Sequence, residues 1–310
     1  MDSDLIVQIL FAAIKTGTPL LFIALGEVIC EKSGALNLGQ EGMMLMGAVV
    51  GFLAAYGTGS AGLGVLAAML MGCLMSLIFA VLVLHLGANQ VATGLALTIF
   101  GTGLSAFIGS GVVGQTVQGF QPIAVPFLSD IPFLGRILFS HDILVYLSFV
   151  MTFALIFVVN KTRIGLVLKA VGENPHAANA IGIKVLRVRY LAVMFGGVMA
   201  GISGAYMSLV YTPMWVENMT AGRGWIALAL VVFASWRVGR IMLGAYLFGL
   251  ASIMHLVLQG LGWSISPNLL AMMPYVATVI VMVIISADQF KEKLLAPRSL
   301  GKPFDPRNMA

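Results

Sequence analysis

Glu41, Gln40 and Asn37, with Glu27 and Glu31 just upstream, form the densest run of groups able to hold a polar solute or an ion. They lie in Gly26–Met44, a stretch punctuated by Gly34, Gly39 and Gly42 that leads straight into an apolar segment. Ionisable groups at such a boundary are costly unless they face a cavity or a partner. The plainer alternative is a solvated loop with Glu31 beside Lys32. A second interruption is Thr220-Ala221-Gly222-Arg223-Gly224, ahead of the uncharged stretch Trp225–Trp236. Twelve helical residues reach about 18 Å, short of the ~30 Å of hydrocarbon in a bilayer. A helix must therefore begin near or within the membrane here, or be broken. Short or Gly-interrupted spans in both halves of a transporter point to its translocation path, and Gly34–Gly42 and Gly222–Gly224 fit that description. Short helices capped at a surface are the alternative.

The third polar segment is Lys169–Ile183. Asn174 suits a helix N-cap, Pro175 a first helical position, and Gly182 the left-handed residue that ends a helix. The spacing predicts a two-turn helix over Pro175–Ile181, with small side chains at Ala177, Ala178 and Ala180. Such a helix suits a groove on a cytosolic partner; a passive loop helix fits the residues equally well. Catalytic chemistry finds no support. No Ser/His/Asp or HExxH arrangement and no GxxxxGK[ST] phosphate loop occurs, so the chain has no ATP site of that kind. The four histidines are scattered, and Cys30 and Cys73 stand apart without a CxxC or Cys/His cluster. Neither a metal site nor a disulfide framework follows, and no cofactor is expected in this chain.

The elements that must carry these segments are set by composition. Of 310 residues 60% are hydrophobic and 9% charged, with a mean hydropathy of +1.02; soluble domains carry roughly 25% charged residues. One aqueous core cannot hide so much apolar surface, whereas a bilayer can. No basic patch interleaved with aromatics appears, so nucleic acid is not an expected partner. The acidic start, Met1-Asp2-Ser3-Asp4, lacks the features of a cleavable signal peptide, and the first apolar run is expected to stay as a membrane helix. Nine spans are expected: Leu5–Leu25, Asn37–Tyr56, Gly62–Leu84, Asn89–Ser110, Ile143–Val159, Tyr190–Tyr211, Met219–Trp236, Ile241–Leu261 and Leu269–Ala287. The fold class is thus an all-α transmembrane bundle with short or broken helices near the path. Residues 1–290 form one domain with a cytoplasmic loop at 161–189, and 291–310 a cytoplasmic tail. Small residues such as Gly94, Gly101 and Gly103, or Gly196, Gly197, Gly201 and Gly204, are expected on packed helix faces.

Basic residues set the orientation. Lys161, Arg163, Lys169, Lys184, Arg187 and Arg189 share one connection with a single acid, Glu173, and Lys291, Lys293, Arg298, Lys302 and Arg307 follow the last span. Four spans separate the two regions, so both fall on one side. With Lys32, Arg237 and Arg240 that side holds fourteen of the seventeen Lys and Arg residues. It is read as cytoplasmic, leaving the N-terminus outside. The long outer connection, about 111–142, reads as a cap of short helical or irregular pieces.

The motifs GALNLGQEGMMLMGA within 26–48, AVGENPHAANAIGIKVLRVRYLA at 170–192 and NMTAGRGWIALA at 218–229 together resemble permease subunits of bacterial ABC importers. The likeness is to the nucleoside and simple-sugar branch of the ribose/branched-chain amino acid permease superfamily. It spans about Leu5 to Ala287, with the three motifs in order. The resemblance implies an inner-membrane protein driven by a separate cytosolic ATPase that uses ATP. It also implies a second, related permease and an extracytoplasmic solute-binding protein. Coupling to the ATPase would fall on Gly172, Glu173, Asn174, Pro175, Ala178, Ile181 and Gly182. The path would be lined or braced by Asn37, Gln40, Glu41, Asn218, Arg223 and Trp225. Cys30, Glu31 and the basic Arg237-Val238-Gly239-Arg240 turn depart from the pattern and leave the solute open. An ion-coupled secondary transporter is the alternative.

Overall fold

The computed structural model describes residues 3–260 and 296–304, with isolated positions between 266 and 283. Helix α1 (Ser3–Lys32) is followed by α2 (Gln40–Thr58), α3 (Ala61–Ala80) with a π-helical end at Val81–His85, and α4 (Gln90–Gly109). The outer connection contains a 3-10 turn at Ser110–Val112 and the short α5 (Leu134–Leu138). Then come α6 (Ile143–Lys161), α7 (Arg163–Glu173), α8 (Pro175–Ala180), α9 (Val185–Tyr206) with a π-helical end at Met207–Tyr211, α10 (Arg223–Phe233) and α11 (Val238–Gly260). Among the described residues seven helices are long and apolar enough to cross a membrane. The expected span Leu269–Ala287 lies outside the described residues except for isolated positions.

Several boundaries differ from the sequence reading, and the sixth span begins at Val185 rather than Tyr190. The first span does not stop at Leu25 but continues as one helix to Lys32, carrying Glu27 and Glu31 with it. The seventh, expected over Met219–Trp236, is helical only from Arg223 to Phe233. Eleven helical residues rise about 16 Å, and the remaining distance is covered by irregular chain. Trp215 packs at the far end of this limb against Gly109, at the end of α4, while Trp236 reaches Glu31 near the end of α1. The limb and α10 together therefore run from one end of the bundle to the other.

Helix α9 is the central rod, packed against α1, α2 and α3. Its glycines permit that. A Cβ on Gly47 would stand 2.7 Å from the Gly201 Cα, and one on Gly26 would stand 3.1 Å from the Gly196 Cα. Such approach maximises van der Waals contact, the main source of helix association where lipid is as apolar as the side chains. On α4, Gly94 and Gly101 press on Leu38 and Gly42, whereas a Cβ on Gly103 would meet nothing within 4 Å among the described residues. The outward faces are apolar: Leu70, Ile99 and Phe107 are each more than 70% exposed. In water these surfaces would be a liability; in lipid they are satisfied.

The outer cap is tied down locally. Ile123 and Val125 donate backbone bonds to His141 and Phe139, and Tyr146 donates its hydroxyl to the Ile123 carbonyl at 2.9 Å. His141 stacks on Phe11 of α1 with ring centroids 4.3 Å apart and donates from Nε2 to the Ile137 carbonyl. Burial holds the His141 ring below the usual histidine range and lifts the Asp142 carboxyl above the usual aspartate range. Asp142 also accepts from Leu144 and Val145, capping the start of α6.

Candidate translocation and coupling site

The turn at 33–39 doubles back beside α1, and its polar residues fold inward. Asn37 accepts from the Gly39 N–H at 2.9 Å and donates its own N–H to Glu27 at 3.3 Å. Gln40 also donates its amide to Glu27, and the Gln40 carbonyl oxygen is buried with no partner among the described residues. Glu27 of α1 thus holds the Asn37–Gln40 end of the turn, while Leu36 donates its N–H to the Gln90 side chain at 2.7 Å and Thr98 donates to the Leu38 carbonyl at 3.0 Å. The motif 26–48 is a single folded unit, with Glu27 its anchor.

Glu41 performs the longer-range join. Its carboxylate accepts from the Thr220 hydroxyl at 2.5 Å and from the backbone N–H groups of Gly222 at 2.8 Å and Gly224 at 2.5 Å. The first N–H groups of any helix lack intrahelical acceptors and carry partial positive charge. α10 has no cap from its own sequence: Gly222 occupies the N-cap position with φ +81 and no side chain. A residue 183 positions away supplies the cap instead. Gly224 has to be glycine for this, since a Cβ there would lie 2.7 Å from the Glu41 Cα.

The six path candidates are therefore not equivalent. Asn37, Gln40 and Glu41 are buried and engaged in bracing the broken segment. Arg223 is half-buried, donating to the Met219 and Thr220 carbonyls and lying 5.6 Å over the Tyr211 ring. Asn218 is exposed with φ +54, and Trp225 is partly exposed on α10. Glu31 adds a second tie to the same region by accepting from the Trp236 indole at 2.5 Å. Beside it lies a cavity of about 730 Å³ lined by Lys32, Lys169, Glu173, Trp236, Arg237 and Arg240.

At the predicted coupling segment, Asn174 accepts from the Ala177 N–H at 3.0 Å and Pro175 opens α8. The helix closes with Ile183 donating to Ala178 and Gly182 to Asn179, at 3.0 and 2.9 Å, with Gly182 at φ +88. This pair of bonds is a Schellman ending. The faces correct the sequence reading in one respect. Ala178, expected on the partner-facing surface, is 2% exposed, and Pro175 and Gly172 also point into the protein. Small size is needed there for packing: a Cβ on Gly172 would run into the Lys32 carbonyl. The outer surface is formed by Glu173, Asn174, His176, Ala177, Ala180, Gly182 and Ile181, the last an apolar side chain 77% exposed.

Sequence reasoning passed over Trp236 and Arg189 as site residues, whereas Glu27, Glu31 and Thr220 lay in the polar stretches it singled out without being tied to particular partners. Glu31 and Trp236 are 205 positions apart, and nothing local in the sequence pairs them. Among the described residues no group of three or more His, Cys, Asp or Glu side chains could hold a metal ion.

Comparison with known proteins finds relatives along most of the chain. Over 264 residues, 84% of this chain and 80% of the relative, it is 42% identical to "Putative glucose ABC transporter permease protein TsgC13" of Haloferax volcanii. It is 32% identical to the nucleoside ABC transporter permease protein NupC of Lactococcus lactis, covering 92% of each chain. Identity is again 32% with the guanosine ABC transporter permease protein NupQ of Bacillus subtilis, covering 96% of this chain and 98% of the relative. The profile of the family described as branched-chain amino acid transport system / permease component matches residues 9–286. The chain, a multi-pass helical membrane protein, belongs to that permease family.

Proposed function

We propose that this permease forms part of the membrane path of an ABC importer for a nucleoside, a sugar or a similar small polar solute. The solute class rests on the relatives, whose names assign them to glucose, nucleosides and guanosine. The observation that carries the mechanism is the joint between Glu41 and the start of α10. A helix broken inside a bundle and held by one buried carboxylate can tilt as a unit without exposing its N–H groups to lipid. The chain has no ATP-binding motif of its own, so ATP is used by a partner ATPase in the cytosol. That ATPase engages the exposed face of α8, where Ile181 is the apolar anchor among small residues. A second permease, a related chain, and an extracytoplasmic solute-binding protein complete the assembly.

The same reading places the N-terminus outside and the C-terminus in the cytoplasm of an inner membrane. It is supported by the gathering of Lys32, Lys169, Arg237 and Arg240 around one cavity although they come from three separate parts of the chain. The ion-coupled alternative draws on buried Glu27 and Glu31, but each already accepts from fixed donors, Asn37 and Gln40 or Trp236. Competition uptake into proteoliposomes holding the whole complex tests the solute class. Nucleosides or sugars are expected to displace the labelled solute. Displacement by amino acids alone contradicts the proposal.

A further inference from the structure

The sequence makes residues 291–310 a plain cytoplasmic tail, yet the described part, 296–304, is stitched across the coupling region. Ser299 donates its N–H and its hydroxyl to the Gly172 carbonyl, at 2.9 and 2.6 Å, just ahead of α8. Gly301 donates to the Gly34 carbonyl at 3.1 Å, in the turn that leads to Asn37, Gln40 and Glu41. Between them stands Arg189, a fully buried guanidinium. It donates to the Ser33 carbonyl at 3.0 Å, the Ser299 hydroxyl at 3.2 Å and the Lys302 carbonyl at 3.3 Å. Phe304 lies 5.9 Å beneath that guanidinium, 5.2 Å from the His176 ring, and packs with Val171, Ala178 and Val185.

Each contact has a physical consequence. Buried charge is tolerated only where its donors are satisfied, and the tail segment supplies two of these three acceptors. A six-residue helix has almost no stability of its own, so α8 keeps its position through the apolar platform that Phe304 completes. Ser299 and Gly301 tie that platform to the 33–41 turn by backbone bonds. The exposed pair Arg298 and Glu173, 3.7 Å apart, adds little.

We infer that residues 297–304 are a strap that carries movement of α8 to the Gly34 turn and so to the Glu41 joint, with Arg189 as the positioning residue that clamps it. The inference rests on α8 being where the ATPase acts. The assembled complex in proteoliposomes, with solute uptake and ATP hydrolysis measured together, tests both levels. Ser299→Ala is expected to retain ATPase docking and hydrolysis, and both it and Phe304→Ala are expected to lower the solute moved per ATP by about threefold to thirtyfold. An unchanged ratio in both, alongside loss of docking or coupling in Ala177→Trp on the exposed face of α8, overturns the strap and spares the α8 reading. Normal docking and coupling in Ala177→Trp overturns the reading beneath it. A His176→Cys/Phe304→Cys pair, in a background of Cys30→Ala and Cys73→Ala, guards against a folding defect. Joining the pair with a short bis-maleimide is expected to restore the ratio that loss of the ring lowers. A ratio the crosslink does not raise contradicts the strap.

Discussion

Replacing Glu41 by Gln keeps the side chain's shape and removes the charge that Thr220, Gly222 and Gly224 address. Hydrogen bonds to a charged acceptor contribute about 1.5–3 kcal/mol each, and a helix start deprived of its anion loses a little more. Glu41→Gln is therefore expected to lower thermal stability in detergent by several degrees and to cut solute flux at least about tenfold, with the complex still assembled. Wild-type flux in that variant contradicts the joint. Gly224→Ala tests the same contact from the other side, because its methyl would meet the Glu41 backbone rather than a movable side chain. A loss of about 1–3 kcal/mol in unfolding free energy is expected. Glu41 was legible from sequence because an acid leading into an apolar run is conspicuous. Its actual role was not, since the groups it serves lie some 180 positions away. Arg189 was harder still: it read as one more cytoplasmic cation, and its acceptors come from both ends of the chain.

At the scale of elements, local signals held where local physics decides. Asn174, Pro175 and Gly182 specify the start and the Schellman end of α8 through bonds spanning no more than five residues. Which face of α8 turns outward depends on Val171, Val185 and Phe304, and periodicity over two turns cannot reveal it. Gly182→Val forces a β-branched residue to φ +88, at a cost of about 1–3 kcal/mol. It is expected to reduce coupling while the protein still inserts, read as solute moved per ATP. The outer cap carries a pH dependence. His141 folds with its affinity for protons lowered by burial, so the unfolded chain binds a proton at a higher pH than the folded one. Stability conferred by neutral His141 is full above the ordinary histidine value, about 6.5, and is lost as pH falls below it. Asp142, shifted upward, changes its contribution in the acid range below that window. Thermal unfolding at pH 7.5 and 5.5 is expected to show a drop in wild type that His141→Asn lacks. Equal drops in both contradict the assignment.

For the whole molecule, hydropathy and cation placement gave the bundle and its most polar interruptions. Hydropathy misplaced the two ends that polar chemistry controls. α1 runs past Leu25 because Glu27 and Glu31 find donors inside the protein, and the seventh span is a short helix because Glu41 caps it midway. On the function proposed above, this chain provides a path, while ATP hydrolysis by the partner ATPase provides the drive. Solute uptake by proteoliposomes, with and without the ATPase subunit and with ion gradients collapsed by ionophores, tests that claim most directly. Uptake is expected only with ATPase and ATP on the α8 face, and undiminished by ionophores. Uptake by the permeases alone, driven by a proton or sodium gradient, would contradict it.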